Sequence, residues 1–189
     1  MHNMFKKIKS RLINEKNTFK SILKLKGFTP IEPIEFFDFE IRGYYISDEI
    51  YVAKIYKQLN GIDLSRIHRR LLKKVGVKAL FLAVDKTDNR IVAIDMFYFN
   101  DRDFRENTIH EGFIGVLPCS EGQGIATCMR KKAIAHFKGN GLSGISTRIS
   151  KNNFGSLRSA ENLGFKVIEE YYDEPNKESR YYMINWFSD

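Results

Sequence analysis

Apolar side chains recur at Phe5, Ile8, Leu12, Phe19, Ile22 and Leu23, interrupted by Glu15, at the three- and four-residue steps that mark one face of a helix. Lys6, Lys7, Lys9, Lys16, Lys20 and Lys24 fall mostly off that stripe, and Gly27 supplies a stop. Residues 4–25 therefore predict a basic amphipathic helix with a break near 14–17. Pro30 and Pro33 each remove a backbone donor and bias their predecessors away from helix, which marks a linker and a boundary near residue 35. Residues 37–45 then alternate as a strand. Ser47 opens a helix closed by Asn60-Gly61, and residues 65–75 read as a second, basic helix.

The β-rich runs 78–85 and 90–99 flank the polar turn Lys86-Thr87-Asp88-Asn89 and predict an antiparallel hairpin. Further elements follow from the same reading: a strand at 108–116, a helix at 122–138 ended by Gly139-Asn140-Gly141, a strand at 144–149, a helix at 152–163 closed by Gly164, and a strand pair at 165–172 and 180–187. The expected organisation is a helical extension over residues 1–35 and a mixed α/β domain over 36–189.

Composition narrows this picture. With 189 residues, 43% of them hydrophobic and 13% aromatic, the chain can bury a full core. No run approaches the roughly 18 to 20 uninterrupted apolar residues of a membrane span, and lysines occupy the N-terminal stretch where a signal peptide would be apolar, so a cytoplasmic protein is expected. Cys119 and Cys128 are too few for a disulfide framework, and they and the dispersed His2, His68, His110 and His136 lack metal-ligand spacing. No metal is expected. Residues 1–26 hold eight Lys and Arg against Glu15, a net +7 of the total +8, which leaves the remainder nearly neutral and argues against broad nucleic-acid binding. The basic helix fits two roles, peripheral contact with an anionic membrane surface or packing on the core or on a second copy in a homodimer.

The candidate chemistry lies where strand 109–116 meets Pro118 and then Gly122-Gln123-Gly124-Ile125-Ala126 at a helix start. The first turn of a helix presents amides without helical partners and a partial positive charge, and glycines allow a pyrophosphate to come close. Coenzyme A, a nucleotide or another phosphorylated ligand would suit it. Thr127 stands where a dinucleotide fingerprint needs its third glycine, and no Gly-Lys-Ser/Thr ending follows, so both standard nucleotide motifs fail.

The order Val116-x-Pro118-x-x-x-Gly122-x-Gly124-Ile125-Ala126, then a helix, a strand, and Asn153-x-x-Ser156 followed by Leu163-Gly164-Phe165, resembles the GNAT-type acyl-CoA N-acyltransferases over residues 40–187. The resemblance implies a central, mostly antiparallel twisted sheet of about six to seven strands flanked by helices, with acetyl-CoA as co-substrate. It implies that Glu121, Gly122, Gln123, Gly124, Ile125, Ala126 and Thr127 surround the pyrophosphate, that pantetheine lies along Ile114, Gly115 and Val116, and that Asn153 and Ser156 complete the cofactor site. An amide at or near Val116 would polarise the thioester carbonyl. The family loop usually begins with Arg or Gln, so Glu121 repels phosphate and the amides of Gly122, Gly124 and Ala126 carry the binding.

For the base that deprotonates the amine, the resemblance points to His110 or Glu111. They alternate to opposite faces, and in an unbroken strand His110 shares its face with Ile114 and Val116. An ordinary imidazole pKa of about 6.5 suits such a role. Where many members place an acid Tyr this chain has Ala160, which leaves Tyr172 or Tyr171 on the next strand as candidate acids. The expected activity is acetyl transfer to a primary amine by direct attack on the thioester, with a small-molecule acceptor such as an amino sugar. A peptide or protein amine, or a non-catalytic acyl-CoA-binding module, are the alternatives.

Overall fold

The computed structural model describes residues 2–188, with side chains described from residue 13 onward. In chain order the elements are α1 (His2–Lys26), β1 (Ile34–Phe36), β2 (Phe39–Gly43), α2 (Glu49–Asn60), α3 (Arg66–Ala79), β3 (Leu80–Asp85), β4 (Ile91–Tyr98), α4 (Asp101–Glu106), β5 (Thr108–Val116), α5 (Ile125–Gly139), β6 (Gly144–Ser150), α6 (Phe154–Glu161), β7 (Lys166–Asp173) and β8 (Glu178–Trp186). The strands form one sheet in the order β1-β2-β3-β4-β5-β6-β8-β7. Every neighbouring pair is antiparallel except β5 and β6. This is the mixed α/β, mostly antiparallel architecture that the family resemblance implies, with one strand more.

The additional strand comes from residues 34–43. Phe37 lies in the left-handed region (φ 51°) and turns the chain, so the single strand expected at 37–45 is a hairpin of β1 and β2 in which Ile34 faces Ile41. Helix α3 starts under a Ser65 cap, whose hydroxyl accepts a bond from the His68 amide, and runs four residues beyond the expected end at Val75. That extension delays β3 to Leu80. Helix α4 was not anticipated, because six residues are too few to show a period. It is set by a capping box in which the Asn100 side chain accepts from the Arg102 and Asp103 amides while the Asp103 carboxylate accepts from the Asn100 amide. Helix α5 begins at Ile125, not Gly122, because Gly122 and Gly124 are left-handed at φ 76° and 78°.

Two apolar layers enclose the sheet. On one face Phe81, Ala83, Ala93, Phe97 and Ile109 pack beneath α5, whose inward stripe is Ile125, Met129, Ala133 and Phe137. On the other face Leu80, Leu82, Ile94 and Met96 pack against Val52, Ile55 and Tyr56 of α2. Helix α3 sends Leu71 and Val75 to the first layer and Leu72 to the second.

Helix α1 is continuous, without the break expected near 14–17. Of its predicted stripe, Phe5, Ile8 and Leu12 lie outside the described side chains. The rest divides: Ile22 is buried, whereas Phe19 and Leu23 are 57% and 54% exposed. The inward face is rotated toward Ser21, Ile22 and Leu25. The buried Ser21 hydroxyl accepts from the Phe99 amide at 3.1 Å and donates to the Asn17 carbonyl at 2.7 Å, so a polar side chain anchors the helix where the hydrophobic period shows none. Lys24 donates to the Asn107 side chain and lies over the Phe99 ring, and Phe28 and Ile31 extend the contact into the α5 layer. Among the described residues no helix is long and apolar enough to cross a membrane. Replacing Leu25, wholly buried, by alanine should cost about 2–4 kcal/mol in urea denaturation. Leu23→Ala should stay within about 0.5 kcal/mol of the parent.

Candidate active site

Strand β5 runs parallel to β6 only from Thr108 to Glu111, paired with Gly144 to Thr147. Past Glu111 the two strands part. On its other side β5 carries a bulge against β4: Phe97 faces Glu111 while Met96 faces Phe113, so Gly112 is the extra residue. Glycine is required there because a Cβ would fall 2.1 Å from the Tyr98 ring.

The bulge reverses the face alternation halfway along β5. Ile109 and Val116 lie toward the α5 layer, whereas Phe113 joins the α2 layer and Gly115 abuts Leu59. Glu111 therefore shares a face with Ile114 and Val116, and His110 does not. This corrects the expectation from an unbroken strand.

The Leu117 amide bonds to the Val92 carbonyl of β4 at 2.8 Å. Since backbone amides alternate in direction along a strand, those of Ile114 and Val116 turn away from β4, into the gap that β6 has left. The gap opens into a cleft of about 520 Å³ running from Ile114, Gly115 and Val116 past Glu121, Gly122 and Gly124 to Ile125, Ala126 and Thr127, with Asn153 and Ser156 on its far wall. Of the twelve residues predicted around the cofactor, Gln123 alone does not line it. The Cys128 amide is the first of the turn to bond back, to Gly124 at 3.0 Å, so the amides of Ile125, Ala126 and Thr127 lack helical partners. Asn153 accepts from the Ser156 amide at 3.1 Å and so caps α6 while bordering the cleft.

A second cleft of about 430 Å³ meets the first at Ile114, Arg130, Asn153 and Ser156. Its walls come from Tyr56, Asn60 and Ile62 at the end of α2, Glu111 and Phe113 of β5, Thr147, Arg148 and Ser150 of β6, and Asn176 and Arg180 of the β7–β8 hairpin. The junction is built on a buried ion pair. Arg130 Nε and Nη2 donate to the two Glu111 carboxylate oxygens at 2.8 and 2.7 Å, Nη1 donates to the Ser156 carbonyl and Nη2 also to its hydroxyl, both at 3.1 Å. Thr147 donates a further bond to Glu111 at 3.0 Å. Asp95 lies wholly buried nearby, and neither carboxyl oxygen has a hydrogen-bond partner. Burial first, and then the Glu111 charge, hold the Asp95 carboxyl well above the usual carboxylate range.

Arg130 was missed in the sequence, although a signal exists: it falls within the apolar stripe of α5, one position after Met129 and three before Ala133, where a charge has no reason to be unless it is matched. Tyr56 was missed too. It borders the second cleft, its ring lies tilted against that of Phe113 with the centres 4.9 Å apart, and it accepts from the Asn60 side chain at 2.8 Å, leaving its own proton free to donate.

The other predicted side chains lie elsewhere. His110 is buried and borders neither cleft; burial and the Arg148 charge lower its pKa to about 3. Its Nδ1 lies 2.8 Å from the Ser146 hydroxyl, which donates onward to Asp103 at 2.7 Å, so Nδ1 carries the proton and Ser146 accepts it. Tyr172 is 55% exposed on β7 and also borders neither cleft. Among the described residues no group of His, Cys, Asp and Glu is placed to hold a metal ion.

Residues 35–165 match the model of the acetyltransferase (GNAT) family. The chain belongs to that family. No curated protein matches it at significant similarity. Among solved structures, this acetyltransferase is similar to the ribosomal-protein-S5-alanine acetyltransferase of Vibrio fischeri (21% identity, TM-score 0.69, covering 84% of this chain and 98% of that one). It is also similar to the NatC complex bound to Gag peptide and CoA (18%, 0.70, 80% and 99%) and to a putative acetyltransferase of Salmonella typhimurium with acetyl-CoA (16%, 0.66, 80% and 95%). At these identities the likeness is one of fold.

The His110 environment sets a pH dependence. Its ordinary value of 6.5 applies to the unfolded chain and about 3 to the folded one, so between these values the unfolded state binds more protons and stability falls as pH falls. Urea denaturation from pH 7 to 4 should show His110→Gln losing stability less steeply than the parent, by up to one proton. An unchanged slope would place the proton uptake elsewhere.

Proposed function

We propose that this acetyltransferase moves the acetyl group of acetyl-CoA to a primary amine by direct attack of the amine on the thioester. The observation that carries this reading is the meeting of the two clefts at Ile114, Arg130, Asn153 and Ser156, with the Glu111 carboxylate beside the junction. The free amides of the glycine loop and of the first turn of α5 suit a pyrophosphate, and the edge of β5 left open by β6 suits the amide-bearing pantetheine arm. The Val116 amide is a preorganised donor for the thioester oxygen as negative charge develops there.

The amine enters by the second cleft. Glu111 accepts its proton through water, since both carboxylate oxygens are already engaged by Arg130 and Thr147. The departing thiolate needs little assistance, because acid–base groups supply about 10²- to 10⁴-fold whereas orientation supplies roughly 7–11 kcal/mol. Tyr56, whose pKa burial raises, is the phenol nearest in role to the Tyr that Ala160 replaces.

The walls of the second cleft favour a polar, small-molecule acceptor such as an amino sugar: Asn60, Thr147, Ser150 and Asn176 offer hydroxyl and amide groups to a hydroxylated ring. A peptide or protein amine is the second reading, supported by the likeness to the S5-alanine and NatC enzymes.

Thiol release from acetyl-CoA, measured across amino sugars, polyamines and peptides, tests both. Turnover of one class is the expected outcome; acetyl-CoA binding by calorimetry without turnover of any amine would mark a binding module instead. Removing the carboxylate beside the phosphates, by Glu121→Gln, should lower the acetyl-CoA KM by about two- to fivefold, the effect of one exposed charge contact.

A further inference from the structure

Of the charged side chains that line the second cleft, all but one are matched. Glu111 and Arg130 neutralise each other. Arg180 donates to Glu178 at 2.7 Å and lies 3.5 Å from Asp173. Arg148 has no carboxylate partner and no hydrogen bond among the described residues. Its guanidinium lies 5.8 Å from the centre of the Tyr182 ring. In the neighbouring surface depression that Arg148 also borders, Arg102 is bonded to Glu106 and Glu169.

The position of Arg148 follows from its strand. It comes one residue after Thr147, which sits across from Glu111 in the β5–β6 register and bonds to it, so its side chain takes the opposite face, toward α2, where it lines the second cleft with Tyr56 and Asn60. Its charge is felt inside the fold: it adds to the burial that lowers the His110 pKa, and it opposes the burial that raises those of Tyr171 and Asp103. Arg148 does not line the cofactor cleft, so an anion that it holds belongs to the acceptor and not to coenzyme A.

We propose that Arg148 selects acceptors that carry an anionic group, phosphate or carboxylate, beside the reacting amine. A guanidinium offers a planar pair of donors matched to either anion, and one left unmatched in a cleft binds its ligand without first breaking an internal pair. The inference rests on the amine-acetylation reading and names the class of amine.

Two matched pairs of acceptors distinguish the sources of the anion: glucosamine 6-phosphate against glucosamine, and a peptide with aspartate in second position against its asparagine counterpart. The full-length enzyme should favour the anionic member of one pair by about tenfold or more in kcat/KM. Arg148→Gln should collapse that ratio through KM, and Arg148→Lys should restore part of it. An equal ratio in parent and variant, or no preference in either pair, overturns the proposal. If no amine is acetylated, the acetylation reading has failed, and the anion site is read separately by thermal stabilisation. Glucosamine 6-phosphate should then raise the Tm of the parent and not of Arg148→Gln, and no difference between them overturns the site.

Discussion

Where β5 leaves β6 after Glu111, the backbone groups of Ile114 and Val116 lose the neighbour that strand pairing would supply. Unpaired amides inside a protein are costly unless water or a ligand meets them. The gap is therefore both a liability for the sheet and the reason it has a site. It is kept open by what surrounds it: the bulge at Gly112 redirects β5, Tyr98 fills the space beside that glycine, and α5 and α2 hold the sheet from its two faces. The glycine loop follows directly from the open strand, so two sets of unpartnered amides fall along one continuous cleft.

The buried Glu111–Arg130 pair fixes the junction of the two clefts. It ties β5 to α5, and through the Ser156 carbonyl and hydroxyl it ties both to α6. Such a pair gives little net stability, because desolvating the two charges offsets their attraction, whereas losing one partner leaves a buried charge and costs several kcal/mol. Its value is positional: the carboxylate is held beside the junction of the two clefts. Asp95 adds a second carboxyl to the same buried region, where burial and the Glu111 charge hold it well above the usual carboxylate range.

The contrast between His110 and Glu111 shows how one inserted residue changes chemistry. Both are buried on the same strand, yet His110 is enclosed with Tyr98, Ser146 and Asp103 on the face toward α2. There its imidazole is neutral and structural, while Glu111 faces the site. The arginine on the next strand, Arg148, adds to the burial that depresses the imidazole, and it lines the second cleft without an ion-pair partner among the described residues.

Much was legible in the chain itself. The 3.6- and 2-residue periods located most helices and strands, the left-handed demand at Gly122 and Gly124 lay in the residue type, and the pairing of that loop with Asn153 and Gly164-Phe165 pointed to an acetyltransferase, because these are local requirements of backbone and side-chain chemistry. The hairpin turn at Phe37, the capping box of α4 and the rotated inward face of α1 were not legible, since each depends on a few atoms meeting and leaves no period. The face of β5 that carries Glu111, the matching of Arg130 with Glu111 and the lack of an ion-pair partner for Arg148 among the described residues were decided only by tertiary structure. A bulge is defined by two strands together, and whether a charge is paired depends on residues distant in the chain that folding brings within about 3 Å.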